Sequence, residues 1–116
     1  MDLGLLAAVE REVLGWAGVE TERSRFFGGD VTIYKVGRRQ LGYVHHAGVA
    51  DLQVPQAIHD ELIAAGRAVP HGAGFAAVVS APLERQDDVA NLVALFRLGY
   101  DRAIAAGERR RRREGG

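Results

Sequence analysis

From Val89 to Ile104 the apolar residues recur at three- and four-residue steps: Val89, Leu92, Val93, Phe96, Tyr100, Ala103 and Ile104. Such a stripe sustained over more than four turns specifies a long amphipathic helix. Glu84, Asp87 and Asp88 stand near its start and arginines follow its end, both favourable for the helix dipole. A helix with one apolar face must bury that face against another layer. The chain supplies a sheet for it. Val31–Val36 is rich in Val, Ile, Thr and Tyr, a strand composition. Gly37-Arg38 has glycine first, the pattern of a two-residue type II′ hairpin, and the return strand runs from Arg39 to about His46. Alternation puts Leu41, Tyr43 and His45 on one face of that strand and Gly42, Val44 and His46 on the other. The adjacent histidines therefore point to opposite sides and cannot share one metal ion.

The remaining elements are shorter. Leu5, Leu6, Val9, Val13 and Trp16 make Asp2–Trp16 an amphipathic helix, with Gly15 and Gly18 at its end. Glu20–Gly29 reads as a strand entering a turn at Gly28-Gly29. Gly48–Gln53 interrupts the strand pattern. Pro55 then suits the first turn of a helix that runs to about Ala65. Ile58, Leu62 and Ala65 face inward there, His59, Asp60 and Glu61 face water, and Gly66 stands at C′. Val69–Gly74 reads as a loop. Phe75–Ser80 reads as a strand with Phe75, Ala77 and Val79 on one face, ended by Ala81-Pro82. The fold class expected is α+β: a two-layer sandwich, a small mainly antiparallel sheet covered by helices. Residues 1–107 form one domain in this reading, and 108–116 a basic, frayed tail.

Composition removes several function classes. With no cysteine, disulfides, thiolate zinc sites and cysteine nucleophiles are excluded, which fits a reducing cytoplasm. Apolar residues reach 47%, yet no apolar run approaches the ~20 residues of a membrane span. The first residues lack the basic flank of a secretory signal and soon meet Glu10, Arg11 and Glu12. The formal net charge is zero, but Arg109, Arg110, Arg111, Arg112 and Arg113 crowd the end, so the rest is mildly acidic. That is not the broad basic face of a nucleic-acid-binding domain. No Gly-x-Ser-x-Gly elbow is present. No helix-borne histidine pair has metal-ligand spacing, so no metal is expected. Gly28-Gly29 lacks both the fuller phosphate-loop pattern and a following helix, and reads as a turn.

His45, Asp51 and His71 are the site candidates, a polar group at a strand end and in two loops, where binding residues concentrate. The competing reading makes Asp51 a turn or helix cap, His45 a strand residue bonded to backbone, and His71 an ordinary loop residue. Tyr100 falls on the apolar stripe with its hydroxyl reaching a partner.

The order and spacing of several segments resemble the luciferase-like domain family, found mainly as short bacterial proteins and as part of the luciferases of fungal bioluminescence. They are Arg25-Phe26-Phe27-Gly28-Gly29, Gly42-Tyr43-Val44-His45, Asp51-Leu52 through Pro55, Asp60 through His71, and Leu95-Phe96-Arg97-Leu98-Gly99-Tyr100. The resemblance runs from about Val13 to Ala103. His45, Asp51 and His71 carry over from it. A fuller histidine cluster does not, because Arg25 and Tyr43 stand near positions where members have histidine, and Phe75 stands where many have tryptophan. The resemblance implies a small aromatic or enolic ligand, with Tyr43, Phe75, Arg97 and Tyr100 lining its site. It also implies cofactor-independent oxygenase chemistry in which a carboxylate-oriented histidine removes the proton of an enol or phenol. The alternative is a non-enzymatic interaction module that binds nucleic acid through the five terminal arginines.

Overall fold

The computed structural model describes residues 3–26, 29–71 and 77–115. In chain order they form α1 (Leu3–Val13), β1 (Val19–Phe26), β2 (Gly29–Val36), β3 (Arg39–His45), β4 (Val49–Gln53), α2 (Gln56–Ala64), β5 (Val69–Pro70), β6 (Val78–Pro82) and α3 (Gln86–Gly115). The six strands make one open sheet in the order β1-β2-β3-β4-β6-β5. Every pairing is antiparallel. The arrangement is α+β, as the sequence predicts, with the helices packed on one face of the sheet.

That face is set by alternation. Tyr34 on β2, Val44 on β3, Ala50 and Leu52 on β4, and Val79 and Ala81 on β6 all point to the helices. They meet Leu5, Leu6, Val9 and Val13 of α1, Leu62 of α2, and Leu92, Leu95 and Phe96 of α3. The α3 stripe is therefore the core stripe. Tyr100 closes its far end, donating its hydroxyl hydrogen to the Ala17 carbonyl at 2.8 Å, with its ring 5.4 Å from that of Trp16. The start of α3 is fastened by Asp88, whose carboxylate accepts the backbone N–H groups of Glu84 and Arg85, each at 2.9 Å. This is the reach-back half of a capping box, and those two bonds hold the carboxyl below its ordinary range.

Two turns follow their residues closely. Gly37 takes φ 60° in the two-residue connection between Val36 and Arg39. Helix α2 ends in a Schellman motif: the N–H of Gly66 bonds Ile63 O at 3.1 Å and that of Arg67 bonds Leu62 O at 3.0 Å. Gly66 supplies the positive φ, 71°, that this ending requires.

Other expectations are corrected. Gly48–Gln53 is not an interruption: Val49–Gln53 is β4, a central strand. Its five residues show little hydrophobic pattern because Asp51 sits between Ala50 and Leu52. Val69-Pro70 is not loop but β5, an edge strand. Proline is tolerated there because an edge leaves one side of the backbone unpaired. The last strand starts at Val78 and runs through Ala81 and Pro82, while Phe75 lies outside the described residues. Ala65 is exposed rather than inward. Residues 108–115 are an exposed continuation of α3.

The face assignment of β3 also changes at one residue. Tyr34 pairs with Gly42 but Lys35 pairs with Gln40, so Leu41 is an extra residue in the ladder. Such a bulge places two successive side chains on nearly the same side. Leu41 accordingly leaves the Tyr43 face and is buried under α3, 3% exposed. Gly42 lies beside it with no room for a side chain. A Cβ there would stand 2.6 Å from the Asp51 carbonyl oxygen and 3.1 Å from the Phe96 ring.

Candidate functional site

The sheet face away from the helices carries the polar cluster. In register, Asp51 on β4 lies between Tyr43 on β3 and Ser80 on β6. His45 follows Tyr43 by two residues and so shares its face. His71 comes directly after β5, the strand that pairs with β6. The structure thus brings His45, Asp51 and His71 together from three segments.

Asp51 is the centre. Its Oδ2 is 2.8 Å from Nε2 of His45 and 3.5 Å from Nε2 of His71. Its Oδ1 accepts the Ser80 hydroxyl at 2.5 Å. The Asp51 side chain is 6% exposed, whereas those of His45 and His71 are 18% and 20% exposed. The carboxylate is enclosed, and the imidazoles connect it to the surface. A buried carboxylate costs several kcal/mol, on the order of what hydrogen bonds from such partners return. Hydrogen bonds from His45 and Ser80, with the His71 ring 3.5 Å away, account for a charge at the middle of a sheet.

The aspartate is therefore no turn or helix cap, and His45 bonds a side chain rather than only backbone. A carboxylate accepts, so the imidazole hydrogen of His45 sits on Nε2, and in the neutral ring the basic lone pair is on Nδ1. The Tyr43 ring meets that of His45 edge-on, 5.3 Å between centroids and 81° between planes. Burial and the Asp51 charge raise the Tyr43 phenol above its ordinary value. Tyr43 thus stays a neutral hydroxyl at physiological pH.

His46 faces the other way, as alternation predicts, with Nε2 2.9 Å from Oγ1 of buried Thr32. Arg97 and Tyr100 are not brought to this cluster. Both belong to α3 on the helix side, where Arg97 lies 5.1 Å from the ring centres of Trp16 and Tyr100 and bonds Asp101 at 2.9 Å. Ser80 is the residue that the sequence reading misses. Its signal is a hydroxyl between Val79 and Ala81, a polar residue facing away from two core residues in an apolar strand. Among the described residues no group of three ligand side chains is disposed to hold a metal ion, and no helix is long and apolar enough to cross a membrane.

A protein-family model described as the luciferase domain matches residues 38–99. That is just over half of the chain, and narrower than the Val13–Ala103 span of the resemblance. It takes in Tyr43, His45, Asp51, His71 and Ser80. No curated protein and no solved structure matches the chain.

Proposed function

The chain belongs to the luciferase domain family, and from that premise we propose that it binds a small aromatic or enolic organic molecule at the His45–Asp51–His71 face. The observation that supports this reading is the meeting of two imidazoles on one enclosed carboxylate oxygen. An anionic carboxylate fixes the orientation of each ring and favours the imidazolium that forms when a ring takes a proton. An enol or phenol O–H is the kind of acid such a base can serve. The finer part of the proposal is cofactor-independent oxygenase chemistry. The enolate carbon adds dioxygen, a C–O bond forms as the O–O π bond breaks, and the resulting peroxide takes up the proton from the imidazolium. The substrate supplies all the electrons, so no flavin or nicotinamide is needed.

The test is an NMR titration with acetylacetone and with catechol, reading the ring C–H resonances of His45 and His71. Saturable shifts are expected for at least one probe, lost in His45→Ala and His71→Ala while circular dichroism keeps the native spectrum. Ring resonances unmoved by both probes would refute the site. An oxygen electrode then tests the chemistry separately from the binding.

A second reading rests on the end of α3. Arg109, Arg110, Arg111, Arg112 and Arg113 form an exposed helical segment in which Arg112 stands 4.0 Å from Glu108. We propose nucleic-acid phosphate as its partner. Binding should then fall steeply with salt and vanish on deletion of Glu108–Gly116. Salt-independent binding would remove this reading.

A further inference from the structure

A second polar constellation lies on the other side of the sheet. The ends of β3 and β4, the start of α2 and the middle of α3 enclose a groove of about 420 Å³. That volume is in the ~300–1,000 Å³ range of sites for small organic molecules. Leu41, Val54, Ile58 and Leu98 give it an apolar floor, and Arg39 and Arg102 stand at its edge. The bulge at Leu41 helps to form it by turning that side chain under α3, where Gly99 leaves the helix surface open. Among the described residues no carboxylate pairs with Arg39 or Arg102, and no acidic residue lines the groove. By contrast, Arg97, five residues before Arg102 on the same helix, has its aspartate partner. Two guanidinium groups without a counter-ion beside an apolar floor match one ligand chemistry, an apolar body ending in an anionic group.

We propose that this groove binds an organic carboxylate, its hydrocarbon or aromatic part on Leu41, Val54, Ile58 and Leu98 and its carboxylate between Arg39 and Arg102. The site is separate from the His45–Asp51–His71 face, because Leu41 and Gly99 belong to the helix side of the sheet. It does not depend on the function proposed for that face.

Matched probes test it: 4-phenylbutyrate and 4-phenyl-1-butanol, which differ at the carboxylate. Titration of the full ¹⁵N-labelled chain should move the amides of Gln40, Leu41, Gln53 and Gly99, with the acid binding more tightly than the alcohol. The double variant Arg39→Gln, Arg102→Gln alters only exposed side chains. It should weaken the acid roughly tenfold or more, the scale of losing a charge-assisted contact, and leave the alcohol unchanged. Ile58→Trp, which fills the groove, should weaken both, and His45→Ala should weaken neither. The proposal is overturned if those amides do not move, if the arginine variant binds both probes as the wild type does, or if His45→Ala abolishes binding of the acid.

Discussion

Removing the Asp51 carboxylate tests whether it organises the polar face. In Asp51→Ala the Ser80 hydroxyl, in a residue 8% exposed, loses its acceptor, a loss of ~1–3 kcal/mol for a buried group. The imidazoles of His45 and His71 are reached by water, so each contributes less, about 0.5 kcal/mol, as for pairs near the surface. Relief of the carboxylate's own desolvation works the other way. The net expectation is a loss of roughly 1–2 kcal/mol from a total stability on the order of 5–15 kcal/mol. Asp51→Asn keeps an oxygen toward the histidines and offers an amide N–H to the Ser80 oxygen, so it should lose only about 1 kcal/mol. Ser80→Ala should resemble it. The assay is urea unfolding followed by the fluorescence of Trp16, the single tryptophan, which packs against Tyr100 in the native state. If Asp51→Ala lies within ~0.5 kcal/mol of wild type, or Asn is as harmful as Ala, Asp51 does not organise this face through its hydrogen bonds.

Gly42→Ala should destabilise by ~1–3 kcal/mol or more, because the new Cβ meets the Asp51 carbonyl oxygen at 2.6 Å. Thermal unfolding measures it, and a Tm unchanged within error would show that the strands separate freely there. Among the described residues the buried Tyr34 hydroxyl has no hydrogen-bond partner, and its ring lies 5.0 Å from that of Phe96. Tyr34→Phe should accordingly leave stability unchanged or raise it by up to ~1 kcal/mol, whereas loss of a satisfied hydroxyl would lower it by a similar amount. Burial raises both Tyr34 and Tyr43 above the ordinary phenol value of 10.0. Both hold their protons in the folded state at pH values where the unfolded chain has lost them. Their contribution is therefore complete below about pH 10 and declines above it. Urea midpoints measured from pH 8 to 11 should fall over the upper part of that range, and a double Phe variant should fall less.

Much of the scaffold is legible from local pattern. The stripe of α3, the stripe of α1, the glycine-first hairpin at Gly37 and the C′ glycine at Gly66 each state their structure within a few residues. Helix periodicity, turn geometry and capping are short-range properties of the backbone. The opposite orientations of His45 and His46 follow from the same alternation.

What needs the fold is everything that depends on pairing. Residues Val49–Gln53 are too few and too mixed to announce a strand, and they become one because β3 and β6 flank them and satisfy their backbone groups. The extra residue at Leu41 cannot be counted until the partner strand is known, yet it decides that Leu41 serves the core and the groove. His45, Asp51, Ser80 and His71 can be named as polar residues from the sequence. Their meeting arises from the order β3-β4-β6-β5, which is long-range pairing. The sequence by itself determined which residues could donate, accept or stack. The tertiary structure decided which share a face, because a sheet brings together residues that no local rule connects.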